Sequence, residues 1–116
     1  MTNYNAGGDR FPEPAAETLD LVAVLKALAD PVRLVILRRL SDGATHSCTV
    51  TEYGVQVSKS TLSHHFKTLR EAGVTRTHVT GREHAVELRR TDLDARWPGL
   101  IDGVLAAVAV EGIVRR

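Results

Sequence analysis

The sequence predicts a mainly α-helical domain with one β-hairpin, and three observations lead to this fold class. Apolar residues recur at helical spacing in four segments that begin near residues 17, 31, 58 and 99. Two β-rich runs, residues 74–79 and 84–88, are joined by a short turn that contains Gly81. A short helix and a tight turn stand before the third helical segment, so the element order is that of a winged helix-turn-helix.

The length and composition set the domain organisation. The chain has 116 residues, 43% of them apolar, which is enough for one core and no second one. Residues 1–15 are rich in Gly, Asn and Pro without an apolar period, so we expect a mobile arm before a domain spanning residues 16–116. The chain lacks both a run of about 18 apolar residues and the pattern of a signal peptide, which predicts a cytoplasmic protein without membrane contact.

The first two helices are predicted from their apolar stripes and end signals. In the first helix, after Glu17, the apolar stripe consists of Leu21, Val22, Leu25, Leu28 and Ala29. The second helix has Asp30 as a candidate cap, Pro31 at its first position and Gly43 beyond its end. We expect Leu34, Leu37 and Leu40 to face inward from this helix.

The helix after the tight turn carries the features of most functional interest. A short helix is expected near residues 49–53 and ends before Gly54, and Ser58 is the candidate cap of the next helix, which stops at Gly73. With Leu62, Phe66 and Leu69 directed inward, the helical period turns Ser60, Ser63, His64 and Lys67 outward, with Thr61 and Thr68 beside them.

His64 and His65 therefore point in different directions. His65 falls at the edge of the buried face, so the two imidazoles cannot hold one ion as a pair four residues apart could. The outward hydroxyls, imidazole and lysine suit contacts with phosphates and base edges, and the helix N-terminus near residues 58–60 favours a phosphate. The competing interpretation is a solvated amphipathic helix whose polar face binds nothing.

The charge distribution and the hairpin favour nucleic acid. Residues 58–90 have a local charge of +4, whereas residues 1–57 have −2 and residues 91–116 have −1. Arg82 lies in the hairpin turn beside Gly81, and Arg76 and His78 lie on the preceding strand, where a wing would meet the DNA backbone or minor groove.

Three segments resemble the ArsR/SmtB family of bacterial transcriptional regulators: "VLKALADPVRLVILRRLSDG", "SKSTLSHHFKTLREAGV" and "TGREHAVEL". The resemblance covers residues 20–90. It implies a homodimeric winged helix-turn-helix repressor on a palindromic operator in double-stranded DNA, dimerising through the first and last helices. Together with the residue pattern, it predicts these DNA-binding residues: Ser58, Lys59, Ser60, Thr61, Ser63, His64, Lys67, Arg76 and Arg82.

The last helix independently favours a dimer, because its apolar face is wider than the core of a small monomer requires. One face contains Leu100, Ile101, Val104, Leu105 and Val108, and Ala107, Val110 and Ile113 widen it.

The metal sites of the resembled family are not expected here. Cys48 is the only cysteine, Val50 stands where that family has a second thiolate, and no histidine follows His84. We therefore predict no metal and no cofactor. A metal- or thiol-responsive repressor using Cys48 with His46 remains the alternative, and the effector, whether an organic ligand, a partner protein or none, stays open.

Two other classes of function compete with DNA binding. Catalysis is not expected, because Ser63 and His64 are adjacent without a positioned acid, and the chain has no Gly-rich phosphate loop or nucleophile elbow. A winged-helix module that binds protein instead of DNA should tolerate changes at Arg82 and Lys67.

Overall fold

The computed structural model describes residues 12–112 as six helices and three strands. The elements, after a short 3-10 turn at Ala16–Thr18, are α1 (Leu21–Leu28), α2 (Pro31–Leu40), β1 (His46–Ser47), α3 (Val50–Tyr53), α4 (Lys59–Glu71), β2 (Thr75–Thr80), β3 (Glu83–Leu88), α5 (Arg90–Arg96) and α6 (Leu100–Glu111). The predicted order of a mainly helical fold with a hairpin wing is confirmed.

Side-chain caps fix where the main helices begin. The Asp20 carboxylate accepts a hydrogen bond from the Ala23 amide at the start of α1, and Asp30 accepts from Val32 and Arg33 at the start of α2. Asp30 and Pro31 thus break the chain between α1 and α2, as predicted. The Ser58 hydroxyl accepts from the Thr61 amide and begins α4.

The sheet is antiparallel, in the order β1-β3-β2. In the hairpin, Thr75 pairs with Leu88 at the base and Thr80 with Glu83 at the tip, where Gly81 adopts a positive φ of 63°. The third strand was not predicted: β1 has two residues, with His46 opposite Val86, and so short a strand shows no alternation of apolar residues.

The core lies where the helices meet the inner face of this sheet. Its fully buried members come from α1, α2, α4, the sheet and the two last helices, and include Val24, Ile36, Leu40, Leu62, Leu69, Val86, Leu93 and Ile101. The predicted inward residues Leu37, Leu40, Leu62, Phe66 and Leu69 are buried, and Leu34 is partly buried against them.

Two features of the structure were not predicted from the sequence. The apolar stripe of α1 divides between two faces: Leu28 is buried, whereas Leu21, Val22 and Leu25 remain 40%, 56% and 44% exposed. The helix is apolar around most of its circumference, so its period does not decide which face meets the core. Residues 90–96, for which the sequence predicted no element, form α5, and its single buried residue, Leu93, attaches it to the core.

The N-terminal segment contacts the domain at the end of the predicted arm. Glu13 Oε1 accepts a hydrogen bond from Arg76 Nε at 2.7 Å, and the Pro14 carbonyl accepts one from Arg89 Nη1 at 2.7 Å. Residues 1–11 of that arm lie outside the described residues, as does Ile113 of the predicted last-helix face. Among the helices of residues 12–112, none has the length and apolar character needed to span a bilayer.

Candidate nucleic-acid interface

Helix α4 is held in place by its inner face. Leu62, Phe66 and Leu69 are buried, and the Phe66 ring meets the Tyr53 ring of α3 edge-on, with centroids 5.5 Å apart. Gly54, in the left-handed conformation with φ of 65°, ends α3, and the buried Val55 follows it. Because α3 and α4 share these aromatic and aliphatic contacts, the outer face of α4 is presented from a rigid base.

The outer face of α4 brings most of the predicted residues together. Ser58, Lys59, Ser60, Thr61, Ser63, His64 and Lys67 are all exposed. At the N-terminus the Ser58 hydroxyl lies 3.2 Å from Ser60 Oγ and 3.0 Å from Thr61 Oγ1. Lys67 Nζ is 4.0 Å from Glu71 Oε2, a long exposed pair that contributes little and leaves the ammonium free to move. We call this set of seven residues the α4 outer face.

The two histidines of α4 have different surroundings. His64 is exposed, whereas His65 is only 8% exposed, and its Nδ1 lies 2.9 Å from Arg33 Nη1 of α2. Burial lowers the pKa of His65 below its usual range. The inference that they point in different directions is confirmed, but the partner of His65 was not foreseen.

The wing places its predicted arginines far apart. Arg82 is exposed in the turn at the tip and forms no ion pair with any residue between 12 and 112. Arg76 lies six residues before Arg82, and four residues of strand, roughly 13 Å by the rise of a strand, separate it from the end of β2 at Thr80. The Arg76 guanidinium is 2.7 Å from Glu13 Oε1 and 3.5 Å from Asp92 Oδ2. The structure therefore places Arg82 at the exposed tip of the wing and Arg76 in a cluster of charged residues at its base.

That cluster includes a buried arginine which the sequence did not single out. Arg89 is 4% exposed; its Nε donates to Asp92 Oδ2 at 3.1 Å, and its Nη1 donates to the Pro14 carbonyl. Asp92 thus faces two guanidinium groups. We call Glu13, Arg76, Arg89 and Asp92 the wing-base cluster.

The residues of the alternative sensor, Cys48 and His46, have separate environments. Burial raises the pKa of the Cys48 thiol to about 11, so the thiolate that binds soft metals is disfavoured. His46 Nδ1 lies 2.7 Å from Glu52 Oε2, and its Nε2 lies 2.9 Å from Asp42 Oδ1. Among residues 12–112, no three His, Cys, Asp or Glu side chains converge in a way that could hold a metal ion.

Comparisons with known proteins agree with this arrangement. A family model described as a helix-turn-helix domain matches residues 28–78, from the end of α1 into β2. The uncharacterised HTH-type transcriptional regulator YceK of Bacillus subtilis is 40% identical over 80 residues, which are 68% of this chain and 80% of YceK. An arsenical resistance operon repressor of Staphylococcus xylosus is 40% identical over 75 residues, 65% of this chain and 71% of the repressor.

The chain belongs to the ArsR family of helix-turn-helix transcriptional regulators. Members of the ArsR family bind DNA and are not a class of enzymes. The crystal structure of an ArsR family transcriptional regulator has the same fold, with a TM-score of 0.59, 24% identity and coverage of 82% of this chain and 98% of that one. The crystal structure of Mycobacterium tuberculosis Rv0081 superposes with a TM-score of 0.56 at 26% identity, and the match covers 80% of this chain and 92% of Rv0081.

Proposed function

We propose that this ArsR family regulator is a repressor that binds a palindromic operator as a homodimer, with α4 of each protomer in the major groove. The observation that carries the proposal is the α4 outer face: seven exposed residues with hydroxyl, imidazole or ammonium groups on a helix whose other side is buried. The side chains at 58, 60, 61 and 63 are short, so a groove about 12 Å wide could admit the helix backbone closely.

The α4 outer face divides into two parts by position along the helix. Ser58, Lys59, Ser60 and Thr61 surround the N-terminus, where backbone amides and the helix dipole favour a phosphate. Ser63, His64 and Lys67 lie further along the same face and are the candidates for contacts with base edges. We expect the first group to set affinity and the second group to set sequence preference.

The wing contributes through its tip alone in this proposal. Arg82 is exposed and can reach the backbone or a narrow minor groove beside the site of α4. We propose that Arg76, although part of the predicted DNA-binding set, stabilises the base of the wing, because its guanidinium is already paired with Glu13 and Asp92.

An exposed apolar surface supports the homodimer. Leu21, Val22 and Leu25 on α1 remain about half exposed, and Val110 on α6 is 86% exposed. Exposed large apolar side chains on the first and last helices are costly in water and are typical of an interface. A Val22→Asp substitution should therefore shift sedimentation from dimer to monomer, whereas Thr91→Ala, on the exposed side of α5, should leave the dimer intact.

We further propose that signal reception does not use Cys48 and His46 as a metal site. The high pKa of the Cys48 thiol and the two carboxylate partners of His46 support this. The effector would then be an organic molecule or a partner protein, or the repressor would act without one.

A gel-shift titration tests the proposed function, with duplex DNA from upstream of the protein's own gene and a random duplex of equal length. We expect retardation of the upstream DNA at micromolar protein and low salt, and its absence would contradict the repressor function. Ser63→Ala and His64→Ala should weaken binding to the upstream DNA more than to the random duplex. Thr91→Ala serves as the matched control, because Thr91 is an exposed hydroxyl residue away from α4.

A further inference from the structure

His65 connects the DNA-binding helix to the junction between α1 and α2. Its ring is almost fully buried, and Nδ1 lies 2.9 Å from Arg33 Nη1. Arg33 Nε in turn donates to the Ala27 carbonyl in the last turn of α1. A single guanidinium thus joins three helices: α1 by a carbonyl, α2 by its own backbone and α4 by the imidazole.

The chemistry of this contact determines the protonation state of His65. A guanidinium has only donors, so Nδ1 must offer a lone pair to Arg33, and the ring proton must sit on Nε2. A protonated imidazole has no acceptor and would place a second cation 2.9 Å from the guanidinium. The contact is therefore specific to neutral His65 in one tautomer.

We propose that Arg33 and His65 form a positioning pair that sets the rotation of α4 about its axis and thereby aligns the α4 outer face for DNA. This inference rests on the proposed function. His64 lies one residue before His65, about 100° away around the helix axis, and Ser63 lies two residues before it, about 200° away. A change in where His65 sits consequently turns the adjacent base-reading side chains by the same angle.

The pair also lies between the DNA-binding face and the proposed dimer surface. Ala27 is on the same short helix as Leu21 and Leu25, and Asp30, which caps α2, is 3.8 Å from His65 Nδ1. The angle between α4 and the dimer surface therefore depends on a contact at this junction. In a dimer on a palindrome, that angle sets the spacing of the two α4 helices.

The positioning pair should respond to acid. The charged or titratable groups that face His65 are Asp30 from the junction, Arg33 from α2 and His64 from its own helix. Burial is the main cause of its lowered pKa, Arg33 and His64 lower it further, and Asp30 opposes them. A histidine with a lowered pKa stays neutral in the fold, so the contact is complete above about pH 6.5 and is lost as the pH falls through the folded value.

The first test measures the contact in the free protein, without DNA. Nitrogen-15 NMR of the full chain at pH 7.5 should show His65 with a bare Nδ1 and a protonated Nε2. In the Arg33→Gln variant, the Nδ1 resonance should shift and the pKa of His65 should rise towards its ordinary value. A protonated Nδ1 in the wild-type protein, or an unchanged His65 signal in the variant, would overturn the inference.

The second test measures its effect on DNA binding. His65→Asn places an amide oxygen near the position of Nδ1 and cannot be protonated, whereas His65→Leu fills the site without an acceptor. We expect His65→Asn to keep its upstream-DNA affinity within about threefold and His65→Leu to lose about tenfold, a typical size for a lost hydrogen bond to a charged group. Affinity for random duplex should change little in either variant, because phosphate contacts tolerate a small rotation.

The pH profile separates a positioning role from a structural one. Between pH 7.5 and 5.5 the wild-type protein should lose upstream-DNA affinity relative to His65→Asn, since the two proteins differ only at residue 65. A parallel pair of profiles, or full affinity in His65→Leu, would overturn the inference while leaving the proposed function standing. Failure of the wild-type protein to bind upstream DNA at any pH would instead remove the proposed function and, with it, this role for the pair.

Discussion

The tip and the base of the wing both carry arginines, yet the two regions differ in their surroundings. At the tip, Arg82 is exposed beside Gly81 and has no acidic partner among residues 12–112. At the base, Arg76 and Arg89 share Asp92, and Arg76 also pairs with Glu13. One end of the hairpin thus presents a free cation to solvent, whereas the other has its cations neutralised within the fold.

This difference changes how the uneven distribution of charge along the sequence should be interpreted. The acids that pair with the wing-base arginines come from the flanking segments, Glu13 before the domain core and Asp92 after the hairpin. Arg90 likewise pairs with Asp94 at 2.8 Å and with Asp102. The fold brings the acidic flanks against part of the basic middle, so Arg76, Arg89 and Arg90 are neutralised. Lys59 and Lys67 on α4 and Arg82 at the wing tip are exposed.

The largest expected effect comes from removing the shared acid at the base. Asp92→Asn removes the carboxylate that pairs with the buried Arg89, while Arg76 keeps Glu13, and it should lower the free energy of unfolding by about 3 kcal/mol. Urea unfolding followed by circular dichroism measures the loss. Asp102→Asn is the matched control, because Asp102 is 73% exposed and its pair with Arg90 should contribute less than about 1 kcal/mol. Equal losses in the two variants would contradict the distinction between a buried and an exposed cluster.

A smaller effect, on binding, is expected at the tip. Arg82→Ala should weaken upstream and random duplex alike, by about 1.5 kcal/mol or roughly tenfold at low salt, because a phosphate contact carries no sequence information. The slope of log affinity against log salt should fall by about 1. A loss confined to the upstream sequence would mean instead that Arg82 reads bases in the minor groove.

Arg76 offers the sharpest test of the comparison, since the sequence placed it with Arg82. Arg76→Gln should leave DNA affinity within about twofold of wild type and the salt slope unchanged. Its effect should appear in stability, as a loss of about 0.5–1 kcal/mol, because the Arg76 ion pairs are partly exposed. A reduced salt slope in Arg76→Gln would show that the wing base also meets the phosphate backbone.

The parts of the fold that followed from sequence are those set by local rules. Capping by Asp30 and Ser58 and the inward stripe of α4 need only neighbouring residues and the helical period, and the structure has each of them. The exposure of the α4 outer face follows from the same period. Local pattern therefore predicted where the candidate DNA-binding surface lies.

The rest depends on contacts between distant segments. Arg76 meets Glu13 across 63 positions, and Arg33 meets His65 across 32, so neither pair leaves a periodic signal. Helix α5 has one buried residue, Leu93, and β1 is only two residues long. Neither element is large enough to show a periodic pattern of apolar residues. Sequence could identify which cations exist, but it could not show which of them the fold had already paired.

A third charge cluster, on the other edge of the same sheet, extends the comparison. His46 of β1 hydrogen-bonds to Asp42 after α2 and to Glu52 of α3, and Arg39 of α2 pairs with Glu52 at 2.9 Å. Like the wing base it joins separate elements, here the two helices that precede α4. Its central cation differs in kind, because imidazole titrates near neutral pH and the guanidinium groups of the wing base do not.

The cluster of His46, Asp42, Glu52 and Arg39 should therefore stabilise the fold less as the pH rises above neutral, whereas the contribution of the wing-base cluster should not change. Hydrogen bonding to Asp42 and then Glu52 raises the pKa of His46 against the opposing effect of burial. With a raised folded pKa, its stabilisation is complete below about pH 6.5 and is lost as the pH rises through the folded value. Urea unfolding between pH 6 and 8.5 should show stability falling in the wild-type protein and in Arg76→Gln, but not in His46→Gln. The same decline in His46→Gln would place the titrating group elsewhere. The response of His65 does not interfere, because its lowered pKa confines it to the range below about pH 6.5.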